Sequence, residues 1–372
     1  MEHVSSFRAC LSEEHSRRKF PMIEPAKIRV AVNGYGVIGK RVAAAVREQD
    51  DMELVGVADI GADWRLRVAT HLGIPLFGAA PEHVKLMEGA GLPVAGDLAG
   101  LIGLADVIVD CTPKAVGAAN SEIYRQAGKP FIVQGGEKHS VTGHSFVAES
   151  SYATALHRGS TRVVSCNTTS IVRTLTALKN AGLLIKARGT LLRRATDPWE
   201  SDHGGIMNTL VPEPEIPSHQ GPDARSVDPD LDLVTMAVKV PETIGHLHYW
   251  SVQMTRVASK DAVLAAFAAS SRIALIRTAD GLGALNSVKE MMSDLGRPHA
   301  NLYEVALWAD MLRVEGDELF YAYVVDNQAI VIPETIDAIR ALVGAVADAD
   351  TSIAMTNASL GIGDVTALLS SA

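Results

Sequence analysis

The sequence predicts an α/β protein whose first part is a doubly wound parallel sheet. Two observations lead to this prediction: short runs rich in Val and Ile recur between helical stretches, and a glycine-rich turn follows the first of them. The length of 372 residues allows two domains, and 47% of the residues are apolar while only 5% are aromatic. This composition is typical of a well-packed α/β chain rather than of a disordered or fibrous one.

The first predicted unit is a strand, a glycine-rich turn, a helix and a second strand. The strands cover 27–33 and 54–58, the helix covers about 40–48, and Asp59 ends the second strand, twenty positions after Gly39. This order is the Rossmann-type arrangement that binds a dinucleotide, and its alternative is a glycine-rich turn without a ligand. The turn residues predicted to bind the cofactor are Gly34, Tyr35, Gly36, Val37, Ile38 and Gly39.

Each part of this unit has a physical role. Gly34 allows the tight turn, Gly36 lets the backbone approach a pyrophosphate, and Gly39 lets the helix pack closely on the strand. The helix N-terminus offers free N–H groups to the phosphates.

Asp59 indicates which dinucleotide binds. Its carboxylate can accept hydrogen bonds from both hydroxyls of the adenosine ribose, which predicts NAD in preference to NADP because a 2′-phosphate would be repelled. The alternative is that Asp59 only caps the following turn. Lys40 or Arg41 would weaken the preference if either reached the 2′-phosphate.

Two further buried strands, 106–111 and 130–134, are each followed by residues typical of turns. Ligands of open α/β sheets lie beyond the carboxyl ends of the strands. We therefore expect Thr112, Pro113 and Gly136 to line the nicotinamide half of the site, whereas Cys111 is expected to be a small buried apolar residue.

Cys166 is the candidate nucleophile. A short strand at 162–165 precedes it and a helical stretch at 170–178 follows, so Cys166 is expected at or near a helix N-terminus. That position favours the thiolate and lowers the pKa of the thiol. Asn167, Thr168 and Thr169 add polar donors in the same turn, and the alternative is a buried structural cysteine.

His246 and His248 are predicted to share one face of an apolar strand. Two such histidines are either a metal pair or one catalytic and one structural group. Because no third ligand is near in the sequence, we expect no metal. A single histidine in such a strand is more commonly a core residue with its hydrogen bonds satisfied.

Two adjacent arginines, Arg193 and Arg194, end another strand and are candidates for gripping a phosphate. His219 and Gln220 lie in a polar loop that could add donors. The alternative for both segments is solvated surface.

The bulk properties exclude several functions. A formal charge of -9 without long basic runs argues against a nucleic-acid or anionic-membrane partner. The first 25 residues have no apolar segment of a signal peptide, and no run of 18 apolar residues is present. Cys10, Cys111 and Cys166 show no spacing of a disulfide framework or a zinc site. We expect a cytoplasmic protein.

A series of segments resembles the archaeal-type (class II) glyceraldehyde-3-phosphate dehydrogenases over nearly the whole chain from residue 27 onward. In order, the segments are NGYGVIGKRV, DVIVDCTP, QGGEK, VVSCNTT, RRATDP, VPEPEIPSH, HLH, DLGRP, LYEVALWAD, IVIPETIDAIRAL and ASLG. VVSCNTT and QGGEK are the most specific of them. Residues 1–25 have no counterpart, and we expect them to be a flexible extension.

The resemblance implies a homotetramer whose subunits have a dinucleotide-binding domain, 26–165 with 333–372, and an α+β catalytic domain, 166–332. It implies that Cys166 is the nucleophile, that His246 is its general base, and that Asn327 contacts the cofactor. The substrate- and phosphate-binding residues that it implies are Ser165, Asn167, Thr168, Thr169, Arg193, Arg194, His219 and Gln220, with Arg194 also close to the nicotinamide.

The implied reaction is oxidation of glyceraldehyde 3-phosphate with NAD. The thiolate attacks the aldehyde, hydride transfer leaves a thioester, and inorganic phosphate releases 1,3-bisphosphoglycerate. Two departures from the family pattern leave the identity of the aldehyde open: Gln220 replaces a histidine, and Asp326-Asn327-Gln328-Ala329 replaces His-Gln-Glu-Ser. Asp59 also departs from the pattern, because many members of the family have a lysine there and accept NADP. Three alternatives remain, namely another phosphorylated or phosphonate aldehyde, hydrolysis of the thioester by water, and an idle NAD-binding protein.

Overall fold

Eight parallel strands form one sheet in the first part of the chain. The computed structural model describes residues 26–198 and 206–370, and the extension expected at 1–25 lies outside the described residues. The strands are β1 (Ile28–Asn33), β2 (Met52–Asp59), β3 (Leu76–Gly78), β4 (Val94–Asp97), β5 (Val107–Asp110), β6 (Phe131–Val133), β7 (Ser145–Phe146) and β8 (Ser160–Val163).

The strand order is β4-β3-β2-β1-β5-β6-β8-β7, so the direction of winding reverses between β1 and β5. Val30 and Val32 on one face of β1 and Ala31 on the other are all buried, as expected for a strand with helices on both faces. The glycine-rich turn follows β1 and therefore lies at the switch point, where open α/β sheets bind their ligands. The predicted Rossmann-type sheet is confirmed.

Thirteen α-helices lie in the described part of the chain. They are α1 (Val37–Arg47), α2 (Trp64–His71), α3 (Pro81–Gly89), α4 (Leu98–Leu104), α5 (Val116–Gln126), α6 (Ala148–Ala155), α7 (Cys166–Asn180), α8 (Gln220–Arg225), α9 (Lys260–Ala268), α10 (Leu285–Asp294), α11 (Val331–Val343), α12 (Ala349–Leu360) and α13 (Asp364–Ser370). Among these described helices, none is both long and apolar enough to cross a membrane.

A second sheet is mixed. Its strands are β9 (Leu184–Arg194), β10 (Val211–Pro212), β11 (Leu233–Val240), β12 (Gly245–Met254), β13 (Ile273–Ile276), β14 (Val305–Trp308), β15 (Arg313–Glu315) and β16 (Glu318–Asp326). The order is β10-β11-β9-β12-β16-β14-β13, with β15 paired to β16. β11 runs parallel to β9, whereas β12 runs antiparallel to both β9 and β16. The predicted α+β architecture of this part is confirmed.

Buried ion pairs connect α7 with α11, which follows the last strand of the second sheet. The Arg173 guanidinium contacts the Glu334 carboxylate at 2.5 Å, and Arg272 contacts the same carboxylate at 3.0 Å and also pairs with Asp337. All four side chains are fully buried, so each charge depends on its partners. α11 also packs against α1, α6 and β8. The helix that begins at Cys166 is thereby held against the first sheet.

Candidate active site

Cys166 is the first residue of α7, as the sequence predicted. Ser165 is the N-cap, and its hydroxyl accepts a hydrogen bond from the backbone N–H of Thr168. Burial raises the pKa of the Cys166 thiol, while Arg194, the backbone N–H of Asn167 and Arg193 oppose this. The pKa of the thiol is raised on balance, opposite to the lowering expected from the helix terminus alone, because the desolvation of a thiolate outweighs the nearby donors and charges.

His246 lies directly against Cys166. Its Nε2 is 3.2 Å from Cys166 Sγ, and its Nδ1 accepts a hydrogen bond of 3.0 Å from the backbone N–H of Arg194. The antiparallel pairing of β12 with β9 brings these groups together. Burial, His248 and the two arginines lower the pKa of His246 well below its ordinary value. His219, by contrast, is largely exposed, and its Nδ1 contacts Glu213 at 3.3 Å.

His248 belongs to a buried chain of hydrogen bonds next to Cys166. Its Nε2 lies 2.8 Å from Asn167 Oδ1, and its Nδ1 lies 2.8 Å from the Tyr323 hydroxyl, which also accepts from Trp250. Asn167 Nδ2 lies 4.0 Å from Cys166 Sγ. Burial, followed by the Arg193 charge, lowers the pKa of His248 to about 3, so the ring is neutral.

A cavity of about 440 Å³ opens above Cys166 and His246. The predicted residues that line it are Val37, Ile38, Gly136, Ser165, Cys166, Asn167, Arg193, Arg194, His219, His246 and Asn327. The structure thus brings together residues from the first sheet, from α7 and from the second sheet. It also adds Asp197, Lys239, Gln134 and Gln328, which the sequence analysis did not single out as site residues.

Three predicted phosphate-binding residues lie behind the cavity wall. The Thr168 hydroxyl donates to the Asp223 carboxylate at 2.7 Å, and Thr169 donates to the Val164 carbonyl at 3.4 Å; both threonines are fully buried. Gln220 is also fully buried, and its amide fits best with its nitrogen donating to Ser218 and its oxygen accepting from Arg193 at 3.2 Å. Gln220 therefore positions Arg193.

The two arginines have carboxylate partners. Arg193 forms an ion pair with Glu213, and Arg194 lies 3.3 Å from Asp197. Lys239 pairs in register with Arg193 on the adjacent strand and lines the same cavity. The parallel pairing of β11 with β9, which the sequence does not reveal, is what places this third cation.

The glycine-rich turn has the geometry that a dinucleotide requires. Gly34 has φ +91°, and a Cβ there would lie 2.9 Å from the Cys111 carbonyl carbon. A Cβ on Gly39 would lie 1.8 Å from the Gly34 carbonyl oxygen, whereas one on Gly36 would meet only Arg65 at 4.0 Å. The backbone is therefore tightly packed at Gly34 and Gly39, whereas the space beside Gly36 is open. A pyrophosphate can approach the backbone there.

Neighbouring residues support the same turn. Tyr35 is buried, and its backbone N–H donates to Asp59 at 2.8 Å. The Thr112 backbone and hydroxyl both bond to the Asp110 carboxylate, which fixes the Thr112-Pro113 segment beside Gly34.

Unpartnered polar atoms indicate where the other end of a cofactor fits. Among residues 26–198 and 206–370, the buried Asn327 Oδ1, Gln134 Oε1 and Arg194 Nε have no hydrogen-bond partner, and all three residues line the cavity. Asp197 accepts from the Asn327 amide nitrogen at 3.2 Å, which leaves the Asn327 oxygen free to accept from a carboxamide. These residues fit a nicotinamide group.

The adenosine end carries charges of both signs. The Asp59 carboxylate accepts hydrogen bonds from the backbone N–H groups of Tyr35 and Gly61, so it caps the turn, which was the alternative prediction. Each carboxylate oxygen still has a lone pair that can accept another hydrogen bond. Arg65 is paired with Asp63 at 2.7 Å, and its Nη1 lies 3.5 Å from the Tyr35 carbonyl oxygen. Arg65 is not among the residues predicted from the sequence.

Lys40 and Arg41, the two cations that the sequence suggested near a 2′-phosphate, contact other residues instead. Arg41 is buried and bonded to Asn301, and Lys40 lies over the Trp64 ring at 5.6 Å. In the described residues, no group of three His, Cys, Asp or Glu side chains has the arrangement of a metal site.

Comparisons with known proteins cover most of the chain. Residues 165–295 match the family model of the C-terminal domain of glyceraldehyde 3-phosphate dehydrogenase, and residues 28–136 match that of the N-terminus of dihydrodipicolinate reductase. The chain is 44% identical to a glyceraldehyde-3-phosphate dehydrogenase of Metallosphaera sedula over 90% of this chain and 98% of that protein. It is 44% identical to one of Archaeoglobus fulgidus (91% and 99%) and 43% identical to one of Pyrococcus abyssi (90% and 99%).

Proposed function

Because this chain belongs to the archaeal-type glyceraldehyde-3-phosphate dehydrogenases, we propose that it oxidises glyceraldehyde 3-phosphate to 1,3-bisphosphoglycerate with NAD and inorganic phosphate. The observation that carries the proposal is the contact of 3.2 Å between Cys166 Sγ and His246 Nε2 in a cavity lined by Arg193 and Arg194. The domains are proposed to be 26–165 with 333–372 for the dinucleotide and 166–332 for catalysis.

Cys166 supplies the covalent step. Its thiolate adds to the aldehyde carbon, and removal of a hydride from that carbon turns the adduct into a thioester. When bound, the nicotinamide ring supplies the hydride acceptor. His246 Nε2 lies 3.2 Å and Asn167 Nδ2 lies 4.0 Å from the sulfur, so both groups can reach the oxygen of the adduct.

The cations of the cavity hold the phosphate groups. Arg193, Arg194 and Lys239 converge on the space above Cys166, and guanidinium groups bind phosphate oxygens in pairs. Glu213 and Asp197 hold the two arginines in place and balance part of their charge. The exposed His219 ring lies at the cavity rim, where Nε2 donates to the Gln220 oxygen at 3.2 Å and Nδ1 contacts Glu213 at 3.3 Å, so its direct contact with a substrate would require one of these bonds to break.

NAD is the proposed cofactor at the adenosine end. Asp59 ends β2 beside the glycine-rich turn, where its free lone pairs can accept from the ribose hydroxyls. A Cβ on Gly61 would lie 3.3 Å from Asp59 Oδ1 and 3.5 Å from Arg65 Nη2, so Arg65 is close enough to Asp59 to moderate the repulsion of a 2′-phosphate. Its pairing with Asp63 reduces that effect, so the proposed preference remains NAD over NADP.

Turnover with and without inorganic phosphate tests the proposal and its rivals. With glyceraldehyde 3-phosphate and NAD, NADH should form continuously only when phosphate or arsenate is present, and 31P NMR should show an acyl phosphate. Continuous turnover without phosphate, with a carboxylate product, would identify a hydrolytic enzyme. Turnover only with another phosphorylated or phosphonate aldehyde would change the substrate, and no turnover with any aldehyde would leave an NAD-binding protein.

The assembly is proposed to be a homotetramer in the cytoplasm. Met236, Thr190 and Tyr249 form one row across β11, β9 and β12, and Met236 and Tyr249 are 44% and 45% exposed. An apolar sheet face of this kind is typical of a subunit interface. Light scattering should give four times the 39.5 kDa of the chain. A reactive thiol at Cys166 also suits a reducing compartment.

A further inference from the structure

The Thr168 side chain connects the start of α7 with α8. Thr168 is fully buried, and its hydroxyl oxygen lies 2.7 Å from Asp223 Oδ2, a carboxylate oxygen on α8. The same hydroxyl lies 2.9 Å from the hydroxyl of Ser165, the N-cap of α7. A continuous chain of hydrogen bonds therefore runs from Asp223 through Thr168 to the residue that precedes Cys166.

Asp223 is itself held by a buried arginine. The Arg162 guanidinium is 3% exposed and lies 2.6 Å from Asp223 Oδ1. Arg162 also donates to the Glu137 carbonyl oxygen at 3.0 Å and to the Ser145 hydroxyl at 2.8 Å. These bonds tie Asp223 to the first sheet, because Arg162 belongs to β8 and Ser145 to β7. The ion pair fixes one carboxylate oxygen and leaves the other facing Thr168.

The direction of each hydrogen bond follows from the number of protons in the chain. A carboxylate oxygen can only accept, so Thr168 donates its single hydroxyl proton to Asp223. Ser165 is then the donor in its contact with the Thr168 hydroxyl. The Ser165 hydroxyl oxygen also accepts from the backbone N–H of Thr168 at 3.4 Å. Two hydrogen bonds of opposite direction therefore hold the N-cap side chain in one orientation.

The N-cap determines which N–H groups of α7 remain free. The backbone N–H of Thr168 bonds to the Ser165 hydroxyl, and that of Thr169 bonds to the Ser165 carbonyl oxygen at 2.8 Å. The N–H groups of Cys166 and Asn167 remain, and both act against burial by lowering the pKa of the Cys166 thiol. A displaced N-cap would turn these two donors away from the sulfur and make the thiolate less stable.

We propose that Asp223 and Thr168 are positioning residues for the Cys166 thiolate, which hold the Ser165 N-cap so that the first N–H groups of α7 stay directed at the sulfur. The inference rests on the proposed role of Cys166 as the nucleophile. In it the Thr168 hydroxyl supports the helix terminus and does not bind phosphate, as the resemblance implied. The charged and titratable groups that face the thiol are His246, Arg193 and Arg194, and a change at Thr168 alters none of them.

Thr168→Val tests the proposal because it removes the hydroxyl, keeps the size of the side chain and leaves the Arg162–Asp223 pair in place. The rate of Cys166 alkylation by iodoacetamide is measured over a pH series, and its midpoint should rise by about one pH unit. Thr168→Ser keeps a hydroxyl and should restore the midpoint of the parent. Thr174→Val is the matched control, since the Thr174 hydroxyl donates to the Ser170 carbonyl oxygen within the same helix, and its midpoint should equal that of the parent.

An equal midpoint in Thr168→Val and Thr174→Val would overturn the proposal, even if both substitutions lower the melting temperature. Asp223→Asn decides the question if Thr168→Val does not fold. Loss of a negative charge alone would lower the pKa of a nearby thiol, whereas loss of the N-cap support raises it. The midpoint of Asp223→Asn should therefore rise, and an unchanged or lowered midpoint would contradict the positioning role.

Steady-state kinetics separate positioning from phosphate binding. Below its pKa, the thiolate fraction falls tenfold for each pH unit that the pKa rises, so kcat of Thr168→Val should fall by about tenfold. Its KM for inorganic phosphate should stay within about twofold of the parent. A raised KM with an unchanged kcat would place the hydroxyl at a phosphate and overturn the inference. Alkylation needs no aldehyde, phosphate or NAD, so it tests the positioning role even if the parent fails to oxidise glyceraldehyde 3-phosphate.

Discussion

The two ends of the proposed cofactor site are built in different ways. At the reaction end, the N-terminus of α7 positions Cys166 and the backbone N–H of Arg194 positions His246. The buried His248 positions Asn167. At the adenosine end, Asp59 and the Asp63–Arg65 pair act by charge, and the side chains of that pair are 44% and 22% exposed.

The difference predicts how each end responds to substitution. Buried groups that meet at hydrogen-bonding distance lose most of their contribution to catalysis when one atom moves. Substitutions at the reaction end should therefore reduce activity by a large factor. Water and salt can screen the charges of the Asp63–Arg65 pair, so substitutions in this pair should have small effects that depend on ionic strength.

The largest effect is expected from Cys166→Ser. The hydroxyl lacks an accessible anionic form near neutral pH, so kcat should fall by about 10⁴-fold or more. The dissociation constant for NAD, measured by calorimetry, should stay within about twofold of the parent. Loss of both activity and NAD binding would mean that the two ends are not separable, and a merely tenfold loss of kcat would remove Cys166 as nucleophile.

Arg194→Ala should have the next largest effect, because Arg194 lies at the reaction end but acts as a charge. Loss of hydrogen bonds to a phosphate oxygen costs about 1.5–3 kcal/mol, or roughly 10–100-fold in kcat/KM. The backbone N–H that bonds to His246 remains. Arg188→Ala, an exposed arginine earlier on the same strand, is the matched control and should be silent. An Arg194→Ala enzyme with unchanged kcat/KM would contradict the phosphate role.

The acid stability of the reaction end should depend on His248. The unfolded chain binds a proton on this histidine near pH 6.5, whereas the folded chain does not until about pH 3. The stability is therefore complete above pH 6.5 and is lost as the pH falls toward 3, by up to about 1.4 kcal/mol per pH unit.

Urea unfolding at a series of pH values measures this dependence. The unfolding free energy of the parent should decline more steeply with falling pH between 6.5 and 4 than that of His248→Gln, which has no group to protonate. Parallel slopes for the two proteins would contradict a neutral His248 in the folded chain.

The smallest effects are expected at the adenosine end. The parent should prefer NAD over NADP by more than about tenfold in kcat/KM, and Asp59→Ala should narrow this gap. Arg65→Ala should widen the NAD-to-NADP ratio several-fold, because the Arg65 guanidinium lies next to Gly61 and the Asp59 carboxylate.

Arg67→Ala, on the same helix but bonded to Ala90 O, is the control for Arg65 and should leave the ratio unchanged. Dissociation constants for both cofactors, measured at low and high salt, provide a readout besides activity. A parent that uses both cofactors equally well, or a ratio insensitive to Arg65, would refute this description of the adenosine end.

The same contrast explains what the sequence could predict. Local patterns were sufficient for β1, β2, β5 and the position of Cys166 at the start of α7, because each depends on neighbours in the chain. The helix after the glycine-rich turn begins at Val37 rather than near 40, since the motif itself forms its first turn. The short strands β3 and β7, of three and two residues, carry too few residues for a pattern.

Features that depend on strand pairing were not predictable. The register of β11 on β9 places Lys239 beside Arg193, and the pairing of β12 with β9 brings the Arg194 N–H to His246. The inward orientation of the Thr168 hydroxyl depends on Asp223, which is distant in sequence. Residue types indicated the chemistry of the site, but tertiary contacts decide which atoms face the cavity.

The most direct test of the account is mass spectrometry of the enzyme after a single turnover. Mixed with glyceraldehyde 3-phosphate and NAD in phosphate-free buffer and quenched in acid, the chain should carry one 3-phosphoglyceroyl group on the peptide that contains Cys166. Addition of inorganic phosphate before the quench should remove it and release the acyl phosphate. NADH formation without an adduct, or an adduct on Cys10 or Cys111, would contradict a thioester at Cys166.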